Sequence, residues 1–300
     1  MSLVSLVKIP SASSYPFREA ITKAIQRVDY RFNSNARKVV IKPNLCYYWD
    51  HTTGQTTSPQ FVSELIDLIR VQTSPEVEIA VVESDASAMR CKYAFRMLGY
   101  EKLAKEKNVQ LINLTEQEST SVDVALDGNV YTFSVPKIIS QADLKINVAH
   151  IKYTIDPVKL TCAMKNIFGC NPIQKKFKYH PYLGEAIVAL NKAMPFNLHL
   201  IDNNIAAGVQ PRKMGLVMAS QDPVALDSAA AKIAGLNPNK IPYLKLAEKE
   251  GVGKRAYVAV GEPLETFRSL YPKPTFRMQT KKRVKRTLVA VGLGARMGLE

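Results

Sequence analysis

The sequence predicts an α/β fold, a largely parallel (mixed) β-sheet flanked by helices. Three observations predict it. Short β-branched runs alternate three times with helical segments before residue 115, the pattern of βαβ units. Several of those runs, such as Leu144 to Val148, are apolar enough to read as buried strands. The runs end abruptly in polar residues, among them Pro43-Asn44, Glu83-Ser84-Asp85 and Asp202-Asn203-Asn204.

In chain order, Leu3–Ile9 reads as a first strand, and Pro16 opens a helix that reaches Arg27. The run KVVIK (Lys38–Lys42) is a β-branched strand, and Pro43 forces a central strand to turn. Residues 47–57 form a polar, aromatic loop. Ser58 is placed as an N-cap and Pro59 at the first helical position of Gln60–Gln72. Val77–Val82 is a strand, Ala88–Lys107 a helix interrupted near Gly99, and Val109–Asn113 a strand. Residues 119–135 break the alternation. Val122–Leu126 and Val130–Val135 flank Asp127-Gly128-Asn129, a β-hairpin signal.

The second half continues in the same way. Pro136–Gln141 is a short helix feeding the Leu144–Val148 strand. Leu183–Ala193 is a helix, Asn197–Ile201 and Met214–Ala219 are strands, and Asp222-Pro223 caps a helix that ends before Gly235. Ile241–Glu250 is a helix and Ala256–Val260 the last strand.

Composition bounds the function. Apolar residues make up 46% and charged residues 22%, which suits a globular chain with a sizeable core. No apolar run approaches the ~18–20 residues of a membrane span, and the N-terminus has no signal-peptide pattern. The cytoplasm is the expected compartment. The net charge is +15, and residues 267–300 supply +8 of it. The body is mildly basic, which suits a small anionic ligand. The tail could contact an acidic partner, either nucleic acid or an acidic membrane surface. Its GLGARMG at 292–298 has neither the spacing nor the room of a dinucleotide fingerprint.

The chemistry is densest at residues 141–180. His150, Lys152, Lys159, Thr161, Lys165, Asn166, Cys162, Cys170 and His180 follow the Leu144–Val148 strand closely. Unpaired lysines make poor core material, since each would cost several kcal/mol to bury. In open α/β sheets ligands sit outside the carboxyl ends of the strands. The stretch therefore reads as the floor of an anion site, with a lysine-rich solvated loop as the bland alternative. Lys42, Asn44, Glu83, Asp85, Asn147, Lys152, Asp202 and Asn203 collect at the same strand ends, where the acids could equally be helix caps. The four cysteines, Cys46, Cys91, Cys162 and Cys170, form no C-x-x-C pair. A metal or Fe–S cluster held by Cys46, Cys162 and Cys170 is possible but not signalled by that spacing. Asp222 and Asp227 do not share a helix face. Asp222 is the cap, and Asp227 anchors a neighbouring loop.

A set of motifs in order carries a resemblance: KPNL at 42–45, Thr57 with Pro59, ESD at 83–85, ADLKIN at 142–147, IK at 151–152, LTCAMKNIFG at 160–169, His180, the aspartate of ID at 201–202, and DPVALD at 222–227. Together they resemble the family called domain of unknown function 362 (DUF362) over most of the body. The resemblance implies an α/β domain over residues 1–265, in one or two lobes, with 266–300 as a basic tail. It also implies Thr57 as a ligand-binding residue. Many members carry a ferredoxin-type cysteine cluster, which this sequence lacks. The family usually shows KTH where this chain has Lys152-Tyr153-Thr154. A fainter similarity is to the lactate racemase family, in which a lysine holds a nickel-pincer cofactor, and Lys165 is the nearest counterpart.

The expectation is an enzyme for a small anionic substrate or cofactor. Lys42, Asn44, Thr57, Lys152, Thr161 and Asn166 would bind it, and Lys165, His180, Glu83 and Asp202 would do the chemistry. The alternatives are a non-catalytic carrier of a cofactor, metal or cluster, and a nucleic-acid or acidic-surface binder acting through the tail.

Overall fold

A computed structural model describes residues 1–154, 156 and 158–273. The strands are β1 (Ser2–Lys8), β2 (Lys38–Pro43), β3 (Glu78–Glu83), β4 (Gln110–Asn113), β5 (Ser119–Leu126), β6 (Asn129–Pro136), β7 (Leu144–Ala149), β8 (Lys152–Tyr153), β9 (Leu160–Thr161), β10 (Leu198–Ala206), β11 (Arg212–Ser220) and β12 (Tyr257–Gly261). The helices are α1 (Pro16–Gln26), α2 (Pro59–Gln72), α3 (Cys91–Met97), α4 (Tyr100–Lys107), α5 (Lys137–Ser140), α6 (Ala163–Phe168), α7 (Leu183–Ala193), α8 (Pro223–Ile233), α9 (Pro242–Lys249) and α10 (Leu264–Leu270).

One eight-stranded sheet runs in the order β12-β1-β11-β10-β7-β2-β3-β4. Every neighbouring pair is parallel except the two that involve β11. The α/β, mostly parallel sheet expected from the sequence is therefore the observed one. The β5–β6 hairpin stands apart as its own ladder, turned at Asp127 and Gly128, both with positive φ.

Side-chain alternation along the strands builds two cores. Val39, Ile41, Ile146 and Val148 face a layer that contains α1–α4. Val40, Ala149, Ile201 and Met218 face α6–α10 and the hairpin. Each fully buried aliphatic chain contributes about 1.5–3 kcal/mol, which is ample to fix a sheet covered on both faces.

The topology creates one special place. The chain leaves β2 through α2 to reach β3, on one side of β2 and through one layer. It leaves β7 through α6 and α7 to reach β10, on the other side and through the opposite layer. β2 and β7 are parallel neighbours, so their crossovers diverge. A crevice opens outside their carboxyl ends, the switch point at which α/β sheets take ligands.

Three details differ from the sequence reading. Ser58 begins α2 but makes no side-chain cap. Its backbone N–H instead donates to Asp202 Oδ2 at 2.9 Å. β10 does not stop before Asp202 but runs to Ala206, because β11 pairs with it antiparallel and satisfies its backbone. The boundary expected at 265/266 falls inside α10, whose Phe267 is buried, as is Tyr271 just beyond it. The rest of the expected tail and its GLGARMG lie outside the described residues.

The loop after β2 is locked down by Gly54. Its φ is +71°, and a Cβ there would stand 2.4 Å from the Ala207 nitrogen. Gly54→Ala is expected to lower stability by about 2–4 kcal/mol through left-handed strain and displacement of the loop. A thermal or urea melt checks it, and a variant as stable as the parent would contradict this packing.

Candidate functional site

The crevice holds a cavity of about 380 Å³. Its lining comes from the carboxyl ends of β2 and β3 and from the segments that follow β2, β3 and β7. The charged and titratable groups around it are Lys42, Glu83, Lys152, Lys165, Lys176 and His180, with Cys46, Tyr47 and Tyr153 beside them. Four lysines thus face one carboxylate.

Lys42 ends β2 and is 1% exposed. Its Nζ donates to Glu83 Oε2 at 2.7 Å and to the Pro43 carbonyl at 2.8 Å. Glu83 ends β3, and its other oxygen accepts from the Ser84 N–H at 2.9 Å. Lys152 opens β8, and its Nζ donates to Asn44 Oδ1 at 2.6 Å and to the Gln55 carbonyl at 2.7 Å. Burial holds its pKa below that of an ordinary lysine. Lys176 donates to the Ser84 hydroxyl at 2.7 Å and to the Asp85 carbonyl. Its pKa is likewise lowered by burial.

Lys165 is different. It is the third residue of α6, in its first turn, half-buried, on the cavity wall. No hydrogen bond or ion pair of its ammonium occurs among the described residues. Burial, helped by the charge of Lys152, pushes its pKa down to about 8.

A ladder of asparagines carries this floor. Asn166 Nδ2 donates to Asn147 Oδ1 at 2.7 Å, with longer contacts to the Lys42 and Val148 carbonyls. Asn166 Oδ1 accepts from Asn44 Nδ2 at 2.9 Å. Asn147 Nδ2 in turn lies 2.9 Å from the Ala163 carbonyl and 3.1 Å from His199 Nδ1. Burial pushes the pKa of His199 down to about 3, so its ring is neutral near pH 7. Buried amides of this kind are tolerated only when bonded, and these are.

The start of α6 is fixed from outside. Asp227 of α8 accepts from the Ala163 N–H at 2.7 Å and the Met164 N–H at 3.3 Å, and also from the Tyr243 hydroxyl at 2.9 Å. It anchors the neighbouring segment, as the sequence suggested. Its own pKa is raised to about 6 by burial, against the pull of those donors.

The residues singled out from the sequence divide cleanly. Lys42, Asn44, Glu83, Lys152, Thr161, Lys165, Asn166 and His180 line the cavity. His180 is exposed at the rim, with its ring 5.0 Å from that of Phe177. Thr57 and Asp202 are corrected. The Thr57 hydroxyl is buried and donates to the Val148 carbonyl while accepting from the Asn44 N–H, so it staples the ends of β2 and β7. Asp202 lies within β10 under the 47–57 loop, where it accepts from Ser58, with His150 Nε2 3.7 Å away. Burial raises its pKa to about 6. The three cysteines do not converge. Cys46 lines the cavity, whereas Cys162 and Cys170 are buried outside its lining. Among the described residues no three His, Cys, Asp or Glu side chains form a group that could hold a metal ion.

Sequence reasoning missed Lys176 and Ser84. Lys176 was hidden in the basic run QKKFKYH, where a solvated face is the default. It is distinguishable only once β3 and the 170–180 loop are seen to meet. It also missed the apolar side of the cavity, formed by Met89, Phe168 and Phe177.

Comparison with known proteins identifies the family. The family model described as domain of unknown function (DUF362) matches residues 39–232, and the chain belongs to that family. It is 31% identical over 128 residues to a thylakoid-associated protein of Synechocystis, a match spanning 38% of this chain and 40% of the relative. A solved structure, the lactate racemase apoprotein from Thermoanaerobacterium thermosaccharolyticum, superposes with a TM-score of 0.44 at 11% identity. That likeness covers 79% of this chain and 58% of the racemase. No helix among the described residues is long and apolar enough to cross a membrane.

Lys42→Met would leave Glu83 buried without its counter-ion. The expected loss is about 3–5 kcal/mol in urea denaturation, with part of it recovered in Lys42→Met/Glu83→Gln. Equal losses in the single and double variants would show that the pair's charge is not what holds these strand ends.

Proposed function

We propose that this DUF362 protein is an enzyme that takes a small anionic substrate or cofactor into the cavity between the carboxyl ends of β2 and β7. The observation that carries the reading is the Lys165 ammonium, without an acceptor among the described residues, on a wall that those residues line with three further lysines and a single carboxylate. The positive potential of such a crevice concentrates anions. Its volume suits a small metabolite. Lys152 and Lys176 would supply fixed positive charge, and Asn44 and Asn166 would hold the lysine-bearing segments in register. Lys42 would act mainly through Glu83, whose charge it neutralises. Lys165 is the group left for the ligand itself, and His180 stands exposed at the rim beside it.

The test is calorimetry with inorganic phosphate and with glyoxylate as anion probes on the full chain. At least one probe is expected to bind, with affinity falling as salt rises. Lys165→Met is expected to weaken it by about tenfold or more, the worth of one charge-assisted hydrogen bond, while the melting temperature stays near that of the parent. Failure of both probes to bind, or unchanged affinity in Lys165→Met, would remove the cavity from consideration as the anion site.

A further inference from the structure

The four cavity lysines are not equivalent. Three ammoniums already have fixed acceptors: Lys42 on Glu83 and the Pro43 carbonyl, Lys152 on Asn44 and the Gln55 carbonyl, and Lys176 on Ser84 and the Asp85 carbonyl. Each is tied in place and supplies charge. The fourth, Lys165, has no acceptor among the described residues and shares the cavity wall with the other three. An ammonium needed only as charge gains from an acceptor, as the other three show. An amine left without one, beside other cations, is set up to lose its proton and present a lone pair.

We propose that Lys165 is a nucleophile that forms an imine with the carbonyl carbon of a small anionic oxo compound, an oxo acid or a phosphorylated aldehyde or ketone. The anionic end of such a molecule matches the fixed lysines, and its carbonyl matches the free amine. This inference rests on the anion-site reading above and adds the class of substrate. In the step, the lone pair of neutral Nζ bonds to the carbonyl carbon and the carbonyl π pair moves to oxygen. The oxygen takes the two protons that the nitrogen gives up and leaves as water. Amine and carbonyl become imine and one water, with no oxidant or reductant. The depressed pKa of Lys165, about 8, leaves a usable neutral fraction at physiological pH. Lys42, Lys152, Lys176, Glu83, Cys46, Tyr47, Tyr153 and His180 are the titratable groups that face the same space.

The experiment uses the full chain, glyoxylate as the anionic aldehyde, and cyanoborohydride to reduce any imine to a stable carboxymethyl-lysine. Labelled lysines are located and timed by peptide mass spectrometry. Lys165 is expected to be labelled at least about tenfold faster at pH 7.5 than exposed lysines such as Lys102 and Lys178. Its rate should level off near pH 8. Lys165→Arg should lose the fast label, while the slow labelling of Lys102 stays as in the parent. Labelling of Lys165 no faster than that of Lys102 and Lys178, in a protein that binds glyoxylate or phosphate by calorimetry, overturns the imine while leaving the anion site standing. A protein that binds neither probe overturns both.

Discussion

The amide of Asn166 is the contact on which the rest of the site depends. At the switch point two halves of the sheet wind away from each other, and nothing in the backbone ladder itself joins the ends of β2 and β7 to the helix that follows. Asn166 makes that join. From α6 it reaches the Lys42 carbonyl at the end of β2, the side chain of Asn147 on β7, and Asn44 beyond Pro43. An apolar side chain could fill the same volume but would leave those polar groups unbonded in a buried place, at about 1–3 kcal/mol each. The asparagine ladder therefore sets the register of α6 against the sheet. Lys165, the preceding residue on α6, takes its place on the cavity wall from it. Asp227 does the complementary work at the start of the same helix by accepting from the Ala163 and Met164 N–H groups.

Electrostatics then follow from geometry. Bringing four lysines to one small cavity is unfavourable unless their charges are offset, and the fold offsets them unequally. Lys42 has a buried carboxylate, and Lys152 and Lys176 have neutral oxygens. Lys165 has neither. Burial and the neighbouring ammonium lower its affinity for a proton, the combination that makes an amine reactive at moderate pH. The cavity so built has a charged floor and an apolar side of Met89, Phe168 and Phe177. That division fits a ligand with one anionic end and one small uncharged end.

Much of the fold was legible in the sequence because strand and helix signals agreed with each other and with their punctuation. Pro59, Pro223, Gly99 and the Asp127-Gly128 turn each fell where the backbone needed them. The site was legible to the extent that it sits at strand ends. Lys42, Asn44, Glu83 and Lys152 could be collected by that rule, and Lys165 and Asn166 by the density of polar residues after the β7 run. Asp202 and Thr57 broke it for physical reasons. The polar triplet at 202–204 looks like a strand end, but an antiparallel neighbour extends β10 through it. Thr57 closes a hydrogen-bonded staple whose second half, the Val148 carbonyl, is 91 residues away. Lys176 escaped for the same reason, since its acceptors at Ser84 and Asp85 lie on a different strand's loop. Long-range pairing of polar groups leaves no periodic trace.

The proposed anion site lies in the crevice between β2 and β7, with Lys165 Nζ as its open position among the described residues. Anomalous diffraction at the selenium edge from crystals of the full chain soaked in selenate tests it most directly. The account predicts a peak within hydrogen-bond reach of Lys165 Nζ, flanked by Lys152 and Lys176, that disappears in Lys165→Met crystals. Selenate found only on surface lysines, with the cavity empty in crystals that leave its mouth open, would contradict it.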